Sequence, residues 1–279
     1  MSDILDQHAV FALAAPNASL CYAASSAGIW RWRAGRAPHW MRIAPQFAEV
    51  ALLAVAAADK SVWIGANGDI AVSRDEGKSW QVSTLPVRAE VQALVVSPDY
   101  DLDGVVLAAT ARDGVLRSDD GGATFFAWNF GLIDLNINAL ALSPDFVNDQ
   151  HVIATGDHAV FVSRNGGRAW RELPESLVAA PFTSVAIGVD GALFVGSENV
   201  GLWRADDVES CLTRDLTFPA ATVNAITGDL AATPEGIYRR TRGAWKLFRA
   251  DDRALCLARS GRLLFAGGAE HGVRLSALA

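Results

Sequence analysis

The chain has 279 residues, of which 51% are hydrophobic, so it can bury a large core. Its formal net charge of −7 provides no general basic field for phosphate, so we expect no nucleic-acid partner unless one face is locally basic. No segment approaches the roughly 18 uninterrupted apolar residues of a membrane-spanning helix, so we also expect no membrane insertion.

The first residues and the cysteines predict a cytoplasmic location. The start MSDILDQHAV lacks the basic region and the apolar run of a signal peptide. Cys21, Cys211 and Cys256 are odd in number and far apart, which is typical of reduced, structural thiols. We therefore expect neither a disulfide framework nor a metal site built on these residues.

A repeated unit of strands organises the chain. An apolar strand such as VQALVVSPD is followed by a second such as VVLAAT, a third such as GVLRS, a turn rich in Asp and Gly, and an aromatic strand. Three turn segments, SRDEGKSW, SDDGGATF and SRNGGRAW, begin 45 residues apart at Ser73, Ser118 and Ser163. This pattern predicts the four-stranded antiparallel blade of a β-propeller.

The same frame continues outward from these three units. The third strand recurs seven times, at Gly28, Asp69, Gly114, Ala159, Gly201, Gly236 and Gly272. The sequence therefore predicts an all-β fold in which residues 1–279 form one propeller domain of about seven blades. The last unit, from about Arg253, provides only three strands, so residues near Ile4 and Leu5 are predicted to pair with it as the fourth and to close the ring.

The turn segments match the Asp-box pattern Ser-x-Asp-x-Gly-x-Thr-Trp of bacterial neuraminidase repeats. The phrase LSPDF…VIATGDHAVFVSRNGGRAW resembles the propeller superfamily that includes sialidases, sortilin-type receptors and the photosystem II assembly propeller. The resemblance implies a structural hairpin on the outside of the blade, away from the central ligand site. The residues assigned to this structural role are Ser73, Asp75, Gly77, Trp80, Ser118, Asp120, Gly122, Phe125, Ser163, Asn165, Gly167 and Trp170.

A sialidase-type active site is poorly represented. Such an enzyme would need three arginines on a carboxylate, a Tyr and Glu pair and an acid, all meeting at the channel mouth. The Arg-Ile-Pro motif of that family has only a broken counterpart in Arg42-Ile43-Ala44-Pro45. We therefore expect no catalytic residue and no cofactor, and keep a glycan-acting hydrolase or lyase, or a glycan-binding propeller, as the alternative.

The segment DYDLDG has the opening spacing of a calcium loop, with Asp99, Asp101 and Asp103 as candidate ligands. The position of the closing bidentate Glu is occupied by Thr110. A solvated connection between two strands is therefore the preferred interpretation.

Aligning the blades predicts two polar rings at one mouth of the central channel, because side chains two apart in a strand share a face. The inner strands have Ala51, Gln92, Asn138, Thr183, Asn224 and Arg253 as their second residues, with Glu49, Glu90, Asn136, Pro181, Thr222 and Asp251 two residues earlier. These rings predict either a hydrated channel or a ligand or partner site. The residues chosen for that site are Glu49, Glu90, Gln92, Asn136, Asn138, Asn224, Asp251 and Arg253.

The sequence thus favours a protein-binding propeller that acts as a scaffold, an assembly factor or a subunit of a larger complex, and it leaves the oligomeric state open. Clustering of Glu49, Glu90, Asp251 and Arg253 within hydrogen-bond reach would favour the glycan-acting alternative, and their dispersal would favour the scaffold. An exposed apolar patch would mark a subunit of a larger assembly.

Overall fold

The chain forms seven antiparallel sheets arranged as a single seven-bladed β-propeller with almost no helix. The computed structural model describes residues 4–36, 38–174, 181–188, 190–250 and 253–278. The innermost strands contact one another in order around the ring, and the first contacts the last. The predicted fold class is confirmed.

The first four blades contain strands β1 to β16. Blade 1 comprises β1 (Val10–Asn17), β2 (Leu20–Ser25), β3 (Gly28–Arg33) and β4 (His39–Ile43). Blade 2 comprises β5 (Ala54–Ala58), β6 (Ser61–Gly65), β7 (Asp69–Ser73) and β8 (Gln81–Thr84). Blade 3 comprises β9 (Val91–Val96), β10 (Val106–Thr110), β11 (Gly114–Ser118) and β12 (Phe126–Ala127). Blade 4 comprises β13 (Ile137–Leu142), β14 (Val152–Gly156), β15 (Val160–Ser163) and β16 (Arg171–Glu172).

The last three blades contain strands β17 to β27. Blade 5 comprises β17 (Phe182–Ile187), β18 (Leu193–Ser197), β19 (Leu202–Ala205) and β20 (Thr213–Arg214). Blade 6 comprises β21 (Ala225–Thr227), β22 (Leu230–Thr233), β23 (Gly236–Thr241) and β24 (Ala244–Ala250). Blade 7 comprises β25 (Ala254–Ser260), β26 (Leu263–Gly268) and β27 (Val273–Ala277). Two single helical turns, α1 (Tyr100–Asp103) and α2 (Phe146–Asp149), link the first two strands of blades 3 and 4.

The burial of the second strand of each blade explains the short apolar runs in the sequence. All five residues of β10, β14 and β18 are buried, because neighbouring blades cover both faces of the sheet at that position. A strand covered on both faces needs a continuous apolar run instead of an alternating one. Hydrophobic clusters consequently lie between successive blades, and each includes residues from both.

The prediction that residues near Ile4 and Leu5 form the fourth strand of blade 7 was wrong. Ile4–Gln7 form a short 3-10 helix, and within the described residues blade 7 has three strands. Leu5 is fully buried between blades 7 and 1, beside Val10 and Cys256. The backbone of Leu5 lies against Gly272, where an added Cβ would come within 2.8 Å of the Leu5 carbonyl oxygen. The segment therefore covers the beginning of β27 and does not run along its edge.

Each Ser-x-Asp hairpin is held by its own side chains. Ser73 Oγ accepts a hydrogen bond from Gly77 N at 2.7 Å, and Asp75 Oδ1 accepts hydrogen bonds from Lys78 N at 3.0 Å and Ser79 N at 2.8 Å. The bonds from the hydroxyl and N–H of Ser79 hold the pKa of Asp75 well below its ordinary value. The hairpins that begin at Ser118 and Ser163 repeat this arrangement with Asp120 and Asn165. These contacts are local, so they fix the turn and leave the hairpin carboxylates no role at the channel.

Candidate functional site

One face of the ring, called here the mouth face, carries the beginnings of the inner strands and the links between successive blades. Among the residues that the structure describes, four side chains at the beginnings of inner strands donate hydrogen bonds to the backbone of the following blade. These inter-blade latches are Asn138 Nδ2 to Phe182 O at 3.1 Å, Thr183 Oγ1 to Val223 O, Asn224 Nδ2 to Ala254 O at 2.9 Å, and Cys256 Sγ to Val10 O at 3.6 Å. Part of the predicted polar ring therefore holds the blades together.

The predicted alignment placed the inner strand of blade 7 two residues out of register with the inner strands of the other blades. Inner strands β9, β13 and β17 each begin with a register shift that makes Gln92, Asn138 and Thr183 the extra residue of a β-bulge. In blade 7 the equivalent shift lies between Ala254 and Cys256, so Leu255 is the counterpart of Asn138. Arg253 precedes the strand, at the position that Asn136 has in blade 4. A β-bulge adds one residue to a strand without changing the pattern of apolar residues around it, so the alignment of the sequences could not locate the bulge.

Two predicted asparagines meet an aspartate that the sequence analysis did not select. Asn136 Nδ2 and Asn138 Nδ2 donate to the two carboxylate oxygens of Asp157, at 2.7 and 3.0 Å. The backbone N–H groups of Asp157 and His158 in turn donate to Asp134 Oδ2, at 2.9 and 3.2 Å. These carboxylates accept hydrogen bonds from fixed amides, which indicates a structural role.

The predicted charged residues of the mouth are dispersed. Glu49, whose side chain is 93% exposed, has Arg42 Nη1 at 3.8 Å. Glu90 and Arg253 are also exposed. Within the described part of the chain, no hydrogen bond or ion pair joins any two of Glu49, Glu90 and Arg253. Asp251 lies outside the described residues.

One cleft of the mouth face brings two predicted residues together. Asn224 and Arg253 line a space of about 620 Å³ between blades 6 and 7, beside Glu270, His271 and Arg274. Two guanidinium groups and one carboxylate give the cleft a mixed, mainly basic character. Besides the asparagine pair at Asp157, it is a second place where described residues of the predicted site lie together.

One of the three calcium candidates, Asp103, has a structural role. Asp103 closes the turn α1, because its carboxylate accepts hydrogen bonds from Ser97 Oγ at 2.7 Å and Val105 N at 2.9 Å. Across the described ranges, no group of three or more His, Cys, Asp or Glu side chains could hold a metal ion, and Asp99, Asp101 and Asp103 do not form one.

Large apolar side chains are exposed in β12 and in the link that follows it from blade 3 to blade 4, a feature that the sequence analysis missed. Five of them lie within ten residues and form what is called here the apolar ridge: Phe126 (63% exposed), Trp128 (38%), Phe130 (82%), Ile133 (73%) and Leu135 (39%). The three aromatic side chains alone expose on the order of 350 Å². An apolar surface of several hundred Å² on a monomer is often a binding site.

The backbone of the ridge is fixed even though its side chains face solvent. Asn129 bridges it to blade 3 by accepting from Val115 N at 2.8 Å and donating to Asp113 O at 2.8 Å. Trp170 of blade 4 donates its N–H to Phe130 O at 2.8 Å and its indole N–H to the carbonyl oxygen of Trp128 at 2.8 Å. The ridge is therefore preorganised, which lowers the entropy that binding would cost.

In two other links an aromatic side chain packs against the equivalent tryptophan. Between blades 1 and 2, Phe47 packs edge-to-face on Trp80 with ring centroids 5.9 Å apart, and between blades 5 and 6, Phe218 packs on Trp245 at 5.2 Å. In the ridge, Leu132 packs into the cluster that contains the equivalent tryptophan. The apolar side chains on both sides of Leu132 are left outside. The sequence signal was an apolar run, FFAWNFGLIDL, in a link too long to be a strand of one blade.

The charges of the chain are sorted around the ring. Residues 91–172, which include blades 3 and 4 and the ridge, contain five basic and eleven acidic side chains. Residues 225–279, which include blades 6 and 7, contain nine basic and five acidic side chains. The net charge of −7 thus conceals one acidic and one basic sector.

No protein-family model matches the chain, and no curated protein matches it in sequence. Within the described ranges, no helix has the length and apolar character needed to cross a bilayer.

Solved structures with the same fold belong to proteins of different function. The GH74 xyloglucanase from Xanthomonas campestris superposes with a TM-score of 0.78 at 16% identity over 98% of this chain. This chain spans only 52% of the xyloglucanase. The WD40 β-propeller domain of Doa1 gives 0.76 at 12% identity, covering 96% of this chain and 92% of that one. YCF48 bound to D1 peptide gives 0.71 at 14% identity, covering 100% and 96%. At these identities the similarity shows the fold alone.

Proposed function

We propose that this chain is a cytoplasmic, non-catalytic propeller that binds another protein, as a scaffold, an assembly factor or a subunit of a larger complex. The observation that carries the proposal is the apolar ridge, whose side chains are exposed while its backbone is fixed by Asn129 and Trp170. Burial of large aromatic side chains on a preorganised surface is the usual source of binding energy at protein interfaces.

The partner has a defined chemistry on this proposal. It presents an apolar segment to Phe130 and Ile133, which are the most exposed residues of the ridge. Because residues 91–172 carry eleven acidic and five basic side chains, the segment is flanked by lysine or arginine. Association should consequently be slower at high salt concentration, while the affinity depends mainly on the apolar contacts.

The similar structures and the mouth face support binding over catalysis. YCF48 is a propeller whose structure holds a D1 peptide. A glycan-acting enzyme would need carboxylic acids that converge on one point, but the exposed Glu49 and Glu90 are not joined to each other and Asp157 accepts hydrogen bonds from two asparagines. The described carboxylates therefore do not support the alternative of a glycan-acting hydrolase or lyase.

The test compares two variants of equal charge in the protein's own host. Phe130→Asp with Ile133→Asp alters the ridge, whereas Leu102→Asp with Leu216→Asp alters two apolar side chains that are 81% and 84% exposed elsewhere. We expect one stoichiometric partner to copurify with the wild type and the control but not with the ridge variant. The purified partner should bind the ridge variant at least about tenfold more weakly in titration calorimetry. Equal retention by all three proteins would refute the proposal.

A further inference from the structure

In the part of the chain that the structure describes, the third strand of blade 7 lacks the outer neighbour that the third strand has in the other six blades. Each of those blades has a fourth strand outside its third, but within the described residues β27 has none. The bonds Gly268 N to Gly272 O, at 3.0 Å, and Leu278 N to Arg262 O, at 2.7 Å, fix the pairing of β27 with β26. In this register the even-numbered residues bond to β26, so the N–H and C=O groups of Val273, Leu275 and Ala277 face outward.

The vacant position lies between the outer strands of two neighbouring blades. On the blade 6 side, Arg249 of β24 donates a hydrogen bond to Ser276 Oγ. On the blade 1 side, Trp40 of β4 packs edge-to-face on Phe265 of β26, with ring centroids 6.4 Å apart, and shares a cluster with Val273. A strand added at β27 would therefore have residues of a neighbouring blade on each side.

The side chains beside this edge alternate in chemistry. Arg274 is exposed on the face toward blade 6, where Arg249 also lies, and Leu275 is 44% exposed on the opposite face. Directly opposed side chains of neighbouring strands interact, so acidic residues are favoured opposite Arg274 and apolar residues opposite Leu275. We propose that β27 binds an extended segment of a partner protein, with alternating acidic and apolar residues, which adds to blade 7 as its fourth strand.

The local charge selects this occupant over a second copy of the chain. Residues 225–279 carry nine basic and five acidic side chains, so two copies joined edge to edge would bring two basic sectors together. An acidic strand instead gains main-chain hydrogen bonds from the outward N–H and C=O groups of β27 and ion pairs from the arginines. In strand addition, main-chain hydrogen bonds usually provide affinity and side-chain contacts provide specificity. This site is separate from the apolar ridge and favours ligands of the opposite charge.

The probe is a fluorescein-labelled heptapeptide that alternates glutamate and valine, titrated by fluorescence anisotropy. A peptide of the same composition in block order and one that alternates lysine and valine are its controls. Leu275→Pro removes an outward N–H that β26 does not use, and Leu275→Ala keeps that N–H. We expect saturable binding of the glutamate peptide, about tenfold weaker for both control peptides and for Leu275→Pro, and within about threefold for Leu275→Ala.

Amide hydrogen exchange on the wild-type protein supplies a readout that needs no variant. The glutamate peptide should slow exchange at Leu275 and Ala277 by about tenfold or more. Absence of saturable binding, unchanged affinity in Leu275→Pro, or unchanged exchange at both amides overturns the proposal. A wild-type dimer that Leu275→Pro abolishes in sedimentation would assign the edge to a second copy. A tenfold gain in affinity for the glutamate peptide on deletion of residues 1–3 would assign the edge of β27 to the chain's own N-terminus. Either of these two assignments also overturns the proposal.

Discussion

Gly131, the one glycine in residues 126–135, should not tolerate replacement by alanine. Its φ is +90°, and an added Cβ would lie 2.0 Å from the carbonyl oxygen of Trp170. Gly191 has a similar φ of +83° but open space around the same atom, so it is a matched control. The left-handed backbone costs an alanine about 1–2 kcal/mol at either site. Only at Gly131 must the linker also move away from Trp170 and lose the bond between Trp170 N and Phe130 O.

We expect Gly131→Ala to lower the free energy of unfolding by about 3 kcal/mol and Gly191→Ala by about 1 kcal/mol. Urea unfolding followed by tryptophan fluorescence measures both losses. Limited digestion with chymotrypsin adds a local readout, because a displaced ridge should be cleaved faster after Trp128 and Phe130 in Gly131→Ala only. Equal losses in the two variants, or unchanged cleavage of the ridge, would refute the inferred close packing against Trp170.

Three further outcomes follow from charged and titratable groups. Hydrogen bonds within the hairpin lower the pKa of Asp75, so they stabilise the fold above about pH 4. This stabilisation is lost as the pH falls through the pKa of Asp75 in the folded protein. Asp75→Asn should therefore make the free energy of unfolding in urea less dependent on pH in acid. Arg117, only 2% exposed, should cost about 3 kcal/mol when replaced by Ala, whereas the exposed Arg168 should cost less than about 0.5 kcal/mol in the same chemical-denaturation assay. Only the exposed Cys211 should react with dithionitrobenzoate at pH 8, since burial raises the pKa of Cys256 to about 12.

Each of these outcomes has a clear contrary result. An unchanged acid dependence in Asp75→Asn would mean that its hydrogen bonds contribute equally when the group is protonated. Equal losses at Arg117 and Arg168 would remove the distinction between a buried and an exposed partner of Asp119. Rapid reaction of more than one thiol per folded chain would show that a buried cysteine is accessible.

The sequence repeat was enough to predict the blades because its apolar runs correspond to the strands that are buried between neighbouring blades. Each apolar run, such as Val106–Thr110, is buried by the blades on both sides, so its composition reports its place in the sheet. The segment around Ile4 and Leu5 carries no such information. Leu5 is buried between blades 7 and 1, and the backbone of Leu5 and Asp6 lies against Gly272. Neither contact leaves a periodic pattern in the sequence, so sequence reasoning failed at this segment.

At the mouth face, the sequence identified donors but not their acceptors. Asn138 and Asn224 belong to the predicted ring and donate to carbonyl oxygens of the following blade. Every residue has a carbonyl group, so the sequence could not identify these acceptors. The ridge could not be predicted for a related reason. The sequence shows that Phe130 and Ile133 are apolar, but their exposure depends on Leu132 taking the position beside Trp170.

The inter-blade latches affect how far this protein can diverge in evolution. A donor side chain from one blade pairs with the main chain of the next, so the accepting blade can change its sequence freely without losing the bond. Asparagine, threonine and cysteine all serve as donors in this ring. These hydrogen bonds therefore do not require neighbouring blades to coevolve, whereas the hydrophobic clusters between blades depend on side chains of both.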